Sequence, residues 1–345
     1  MATARTTFDL RDLDTPIVGA PMAGGPSTPA LAAAVTEAGG LGFLAGALLT
    51  AEKMASDVAE NRALTSGPIS VNLFVPQPDA GQPAELAAYA DELGELAGHF
   101  GVSLGDPRYT DDDYPAKVEA LLDLKPEVVS FTFGCASADE VARFASAGVV
   151  TVATVTSVAE AEIAKARGVK AFVAQGPNAG GHRGTFDPLA EPATDSLEEL
   201  LASVKRIADV VIAAGGITTA AEVAAVLDLG AVAAQVGTAF LLSDEAGTNS
   251  VSRAALVDPQ FTETGVTRAF SGRYARGLKN RFMENHDSSA PFGYPQVHYL
   301  TGPVRAAAVK SGDPHSTNTW AGTGFHHATT GSVAAIVEAL TAQIR

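Results

Sequence analysis

His182 stands in a loop, Gly176-Pro177-Asn178-Ala179-Gly180-Gly181-His182-Arg183-Gly184, that directly follows an apolar run, Phe172-Val173-Ala174-Gln175. Four glycines and a proline in nine residues can neither continue a strand nor begin a stable helix. They do let backbone N–H groups approach a flat or anionic ligand, because no Cβ intervenes. An imidazole in such a cradle is an acid/base group beside a bound ligand. The plain alternative is a solvated histidine on a flexible loop. Two further apolar runs end in glycine turns, Ala213-Ala214-Gly215-Gly216 and Gln235-Val236-Gly237-Thr238. Paired turns of this kind, with the Thr238 hydroxyl as an added donor, suit a phosphate held by backbone amides; otherwise they are ordinary tight turns.

Something regular must carry these residues. Eight short apolar runs recur along the chain: Ile17–Ala20, Leu41–Leu44, Ile69–Phe74, Val128–Phe133, Val149–Thr154, Ala171–Gln175, Val210–Ala214 and Ala231–Val236. Helical patterns follow them, the first entered through Ser27 as cap with Pro29 in its first turn. Strands apolar on both faces and alternating with helices belong to a covered parallel sheet. Eight such units predict an α/β fold closed into a (β/α)8 barrel. A doubly wound open sheet is the alternative, but its G-x-G-x-x-G after the first strand is missing. Residues 76–115, with Pro76, Pro78, Pro83, Pro107 and Asp111-Asp112-Asp113 around one helix, read as an insertion on the loop face. We expect a barrel over 1–245, a small lid or substrate domain over 246–324, and a terminal helix within 325–345 packed back on the barrel. The lid carries a basic cluster (Arg268, Arg273, Arg276, Lys279, Arg281) that either covers the barrel mouth or pairs with the acidic surface.

Composition narrows the function. The chain has 345 residues, 46% hydrophobic and only 18% charged, with net charge −16. That charge argues against nucleic acid and against an anionic membrane surface as partners. No apolar run reaches the roughly 18 residues of a membrane span. Met1–Asp14 lacks the apolar stretch of a signal peptide, so a cytoplasmic location is expected. The single cysteine, Cys135, excludes an internal disulfide, has no paired histidine in the sequence and reads as a buried small residue. Nothing has the spacing of a zinc site, and no metal is expected.

In a (β/α)8 barrel the active site lies at the C-terminal ends of the strands. Those ends collect Pro21, Met22 and Ala23, Asn72, Thr132, Gln175 with the His182 loop, Gly215 and Gly216, and Gln235, Gly237 and Thr238. The amides of Asn72 and Gln175, which both donate and accept, suit the O and N edges of an isoalloxazine ring better than a metal. The plain alternative for each is a satisfied strand-end amide, and for Met22 a core filler.

With these residues laid out, the chain resembles the nitronate monooxygenase family, formerly 2-nitropropane dioxygenases. The resemblance rests on Pro21-Met22-Ala23-Gly24, the Gly180-Gly181-His182-x-Gly184 loop, Ala213-Ala214-Gly215-Gly216-Ile217 and Gln235-x-Gly237-Thr238-Ala239-Phe240. It continues through Ala275-Arg276-Gly277-Leu278-x-Asn280-Arg281-Phe282 and Tyr294-Pro295…Leu300-Thr301-x-Pro303. The Gly-Gly-His loop alone is also similar to flavin-dependent enoyl-acyl-carrier-protein reductases. The resemblance implies FMN, with His182 as catalytic base and Asn72, Gln175, Gly181, Gly216, Gly237 and Thr238 among its ligands. Pro21, Met22, Ala23, Gly180, Gly215 and Gln235 complete the candidate cofactor site.

Asn178 replaces the family's usual acidic residue, and Thr132 replaces a histidine of the nitronate-oxidising branch. The family's Tyr/Lys segment falls on Tyr294, His298 and Gly302, where only the first tyrosine is kept. Thr132, Tyr294 and His298 are therefore the candidate substrate contacts, and the substrate's identity stays open. The implied reaction takes a nitronate or nitroalkane and O2 to a carbonyl compound and nitrite. A reductase using NAD(P)H on a quinone or enoyl thioester, and a non-catalytic FMN-binding protein, are the alternatives. Monomer and dimer are both compatible with the sequence.

Overall fold

A computed structural model describes residues 8–344. Met1–Thr7, half of the segment read above for a signal peptide, and Arg345 lie outside the described residues. Eight parallel strands pair in chain order: β1 (Ile17–Gly19), β2 (Leu41–Ala45), β3 (Ser70–Phe74), β4 (Val128–Thr132), β5 (Val150–Val155), β6 (Ala171–Gln175), β8 (Val210–Ala214) and β9 (Ala233–Val236). β9 returns to β1, with Gln235 opposite Val18, so the sheet closes and the open-sheet alternative falls. β7 (Gly181–His182) stands outside the barrel.

The strands are mostly apolar because each side meets a different core. Val18, Phe43, Val152, Val173 and Ile212 fill the barrel interior together with Leu10. Ile17, Val71, Val129, Phe172 and Val211 face outward into the layer of helices. Adjacent side chains point to opposite sides of a strand, which is why the apolar pattern does not alternate with a polar one.

The helices of that layer are α1 (Pro29–Glu37), α2 (Ala51–Leu64), α4 (Tyr114–Leu124), α5 (Ala138–Ser146), α6 (Val158–Ala166), α7 (Leu197–Val204) and α8 (Ala220–Asp228), while α3 (Pro83–His99) sits in the insertion. Hydroxyls start most of them: Thr50, Ser137, Ser157, Ser196 and Thr219 each accept an N–H of the first turn. At α1 the cap is Thr28, not Ser27. Ser27 Oγ already accepts the Met22 N–H at 2.8 Å, closing the turn at the end of β1.

Beyond β9 come α9 (Ser250–Val257), β10 (Thr264–Thr267), β11 (Ala275–Leu278), α10 (Arg281–His286), α11 (Gln296–Ser311) and α12 (Val333–Thr341). β10, β11 and β7 form a small antiparallel sheet, with Ala275 opposite His182 and Arg276 opposite Gly181. The glycine loop is thus an edge strand of this small sheet. α3 joins the same region, its Leu86, Tyr89 and Leu93 packing in one cluster with Phe270, Phe282 and Leu300. α12 buries Val333, Ile336, Val337 and Leu340 and packs against α1 and α8. It takes the place of the helix that should follow the eighth barrel strand.

The Asp111-Asp112-Asp113 run has a definite task. Asp112 accepts the N–H of Leu48, a residue held at φ 62°, at 2.9 Å, and Asp113 accepts the N–H of Ala51 at 3.0 Å. Lys117, 1% exposed, pairs with Asp112 at 2.9 Å. Burial pushes the Asp112 carboxyl up more than Lys117 pulls it down, so the pair fixes geometry more than it adds stability. Lys117→Met leaves a largely buried carboxylate uncompensated and should cost about 2–3 kcal/mol, below the 3–5 kcal/mol of a fully buried pair because Asp112 keeps some solvent. Denaturant midpoints check this, and a Lys117→Met, Asp112→Asn double variant should recover part of the loss. A double variant no more stable than the single one would refute it.

Candidate active site

The C-terminal ends of the barrel strands open into a cavity of about 440 Å³. Every candidate named above lines it except Tyr294, whose ring lies against His182 with centroids 5.4 Å apart. No aspartate or glutamate lines the cavity, although the chain carries 39 of them. Among the described residues there is no cluster of potential metal ligands.

The glycine loop is clamped. Gln175 Nε2 donates to His182 O at 3.1 Å, and Gln175 Oε1 accepts from Gly184 N at 2.8 Å. The amide expected at a ring edge therefore spends both ends on the loop. Arg183, 1% exposed, donates to the carbonyls of Gly176 and Gln175. Arg273 donates to Thr185 O and, at 2.9 Å, to Thr185 Oγ1. Glu160, itself buried, accepts from Phe186 N at 2.7 Å. Only glycine fits at 180, where a Cβ would stand 2.5 Å from Gly322 N.

The ends of β8 and β9 make the other wall. Gly215 and Gly216 have φ of 114° and 81°, open to glycine alone without strain. The backbone N–H groups of Gly215, Gly216 and Gly237 find no protein acceptor among the described residues. The Thr238 hydroxyl accepts from Gly322 N at 3.0 Å and keeps its own hydrogen to donate. This is a set of unused donors on a concave wall, and it fits a phosphate. Asn72, 1% exposed, donates Nδ2 to Ser130 Oγ at 2.9 Å and Thr132 Oγ1 at 3.1 Å.

His182 is half-buried, packed among rings with one side open to the cavity. The rings of Phe133, Tyr294 and Trp320 surround it at centroid distances of 5.7, 5.4 and 5.6 Å. Its Nε2 lies 2.9 Å from Ser271 Oγ. Burial first, and then Arg273, His298 and Arg305, hold its pKa down to about 3. An imidazole expected to titrate near neutrality is thus neutral at all ordinary pH, ready to accept a proton but with weak intrinsic basicity.

Arg305, Ser271 and Trp320 also line the cavity and went unremarked in the sequence. Arg305 donates to Thr301 Oγ1 at 3.0 Å, Asn318 Oδ1 at 3.2 Å and His298 O at 2.7 Å, with no carboxylate partner among the described residues. Burial lowers its pKa to about 10. Its one available signal was spacing, since His298, Gly302 and Arg305 share a face of α11. The lid arginines behave otherwise than expected. Arg268 stacks 4.2 Å from the Phe292 ring, Arg273 3.9 Å from that of Phe133, and Arg276 donates to Pro177 O. Among the described residues, none of these three lines the cavity or meets a surface carboxylate, whereas Lys279 pairs with Glu263 at 2.8 Å. Cys135 is 1% exposed and burial raises its pKa, as befits an inert thiol.

A closed parallel barrel with a carboxylate-free cavity at the strand ends and a histidine in the cavity wall defines a (β/α)8-barrel enzyme. Comparison with known proteins makes the class specific. The family model described as nitronate monooxygenase matches residues 9–343. The chain is 39% identical to a nitronate monooxygenase of Pseudomonas aeruginosa, over 97% of this chain and 98% of that one. It is 41% identical to that of Paraburkholderia phytofirmans, covering 92% and 89%. A nitroalkane oxidase structure from Streptomyces ansochromogenes superposes with TM-score 0.93 at 45% identity, 97% of each chain covered. FabK from Thermotoga maritima superposes with TM-score 0.73 at 27% identity, covering 98% and 95%. The chain belongs to the nitronate monooxygenase family, and it is an oxidoreductase. No helix among the described residues is long and apolar enough to cross a membrane.

Proposed function

We propose that this protein oxidises alkyl nitronates, and neutral nitroalkanes, with FMN and O2, yielding a carbonyl compound and nitrite. The observation that supports this best is the pairing of two features in one cavity free of carboxylates. One is the neutral, ring-packed His182; the other is the set of unused N–H donors at Gly215, Gly216 and Gly237. Those donors and Thr238 would hold the FMN phosphate, with Pro21, Met22, Ala23, Gly180, Gly181 and Gln235 around the rest of the cofactor. When bound, FMN supplies the oxidant that O2 renews. Arg305 and the absence of carboxylates favour an anionic substrate, and His182 takes the proton when the substrate arrives as a neutral nitroalkane. Thr132 and His298 face the same space and we assign them to substrate contact, while Tyr294, outside the cavity lining, backs the histidine.

The purified protein should be yellow and release FMN, not FAD, on denaturation, because nothing in the site is arranged for an adenosine half. Recovered FAD, or a colourless protein that ignores added FMN, would contradict the assignment. The likeness to FabK supports one competing reading, a reductase drawing on NAD(P)H and acting on a quinone or enoyl thioester. Anaerobic mixing separates the two: a nitronate should bleach the flavin, whereas NADH and NADPH should not. The reverse pattern would favour the reductase, and no bleaching by any of them a non-catalytic binder.

A further inference from the structure

We propose that Ser271 fixes the tautomer of His182, placing the resting proton on Nε2 and leaving Nδ1 as the nitrogen that takes the substrate's proton. This rests on the reading of His182 as base. Ser271 is 1% exposed, and its Oγ lies 2.9 Å from His182 Nε2 and 3.2 Å from Arg273 O. A serine hydroxyl has one hydrogen, and a carbonyl can only accept. With that hydrogen given to Arg273 O, Oγ must accept from the ring, so Nε2 carries N–H. The opposite tautomer would either set two acceptors face to face or take the hydrogen from Arg273 O, leaving a buried carbonyl unpaired. Nδ1 has no hydrogen-bond partner among the described residues, and the ring lines the cavity.

The backbone makes this pairing rigid. Ser271 N and Gly272 N both donate to Arg268 O, at 3.1 and 2.7 Å, which folds the turn before β11. The register of β11 with β7 then sets Ala275 opposite His182. In the proton transfer the substrate C–H bond breaks, its electron pair stays on carbon and spreads into the nitro group, and the proton goes to Nδ1. The Nε2–H bond to Ser271 persists throughout, so the imidazolium never loses its acceptor. Arg273, His298 and Arg305 face the ring and oppose its positive charge, which keeps that species short-lived.

Ser271 is therefore a positioning residue, and its test reads the ring directly. Holoenzyme with ¹⁵N-labelled histidine should show His182, assigned by its loss in His182→Asn, protonated on Nε2 and bare on Nδ1. In Ser271→Ala the two tautomers should mix, and kcat with a neutral nitroalkane should fall about 3- to 10-fold, the worth of one hydrogen bond. The loss on a nitronate should be smaller and FMN content unaltered, while Ser271→Thr, which keeps the hydroxyl, should restore the tautomer. A parent enzyme with the proton on Nδ1 overturns the proposal. So does a Ser271→Ala protein whose tautomer is unchanged while both substrates and FMN suffer alike, since that is the mark of a turn stitch alone. A parent with the stated tautomer but no nitroalkane turnover would instead sink the proposed function and leave the Ser271 assignment standing.

Discussion

His182→Asn is expected to lower turnover of a neutral nitroalkane by about 10²- to 10⁴-fold, the usual worth of a positioned proton transfer, with FMN content unchanged. Asparagine keeps a polar group of similar bulk against Phe133, Tyr294 and Trp320 but cannot take the proton. With a preformed nitronate the loss should be far smaller, because that proton has already left. Equal losses on both substrates would make His182 a binding group and not a base. The pH profile adds an independent check. A base works in its unprotonated form, and this ring's pKa is lowered to about 3. kcat/KM for a neutral nitroalkane should therefore show no loss from His182 on acidification to about pH 5. An inflection near the ordinary imidazole value of about 6.5 would show a ring better hydrated than its three aromatic neighbours imply.

The second large effect is expected at Gln175. Gln175→Leu removes the donor to His182 O and the acceptor of Gly184 N, and leaves both backbone groups of a half-buried loop without partners. Each orphaned group costs about 1–3 kcal/mol, so the loop should shift or loosen. A displacement of about 1 Å at a reacting group can cost 10²-fold, and that is the loss of kcat expected here on neutral nitroalkanes. FMN affinity should change far less than kcat. If FMN is lost while the apoprotein keeps its fold, Gln175 touches the cofactor as well as bracing the loop, and the family-derived role is the better one. Gln175→Glu sharpens the comparison, since a carboxylate can still accept from Gly184 N but cannot donate to His182 O.

Much of this fold was legible because a barrel strand is sandwiched between two apolar layers, so that its run reads as mostly apolar and any buried polar group must find its own partner, as Ser70 does on Gly42 O. Asn72, Thr132, Gln175, Gly215 and Gly237 stand out because they interrupt those runs where the layers end. What was not legible depends on long-range pairing. Gly181 and His182 form a strand only because β11, some ninety positions on, lies beside them, and two residues carry no periodicity of their own. The Ser271 hydroxyl is ordinary in sequence and acquires meaning only through a turn that brings it to an imidazole. Arg273 and Arg268, read as a charged lid, are braces whose charge is spent on aromatic faces and carbonyls. A sequence shows the charge of such a side chain but not the direction in which it is buried.

The position of α12 bears on how the chain must fold. During synthesis the eighth strand emerges well before the helix that should cover it, with the whole lid region between them. Until that helix arrives, the flanks of α1 and α8 that pack against Val333, Ile336, Val337 and Leu340 stay bare. Closing so long a loop costs only modest extra entropy, since the penalty grows with the logarithm of its length. The cost falls on timing: contacts between the chain's two ends are the slowest kind to form, and apolar surface left waiting for them is prone to association. A fragment cut near residue 245 should therefore aggregate even though it holds every barrel strand, and supplying residues 325–345 as a separate peptide should rescue little of it.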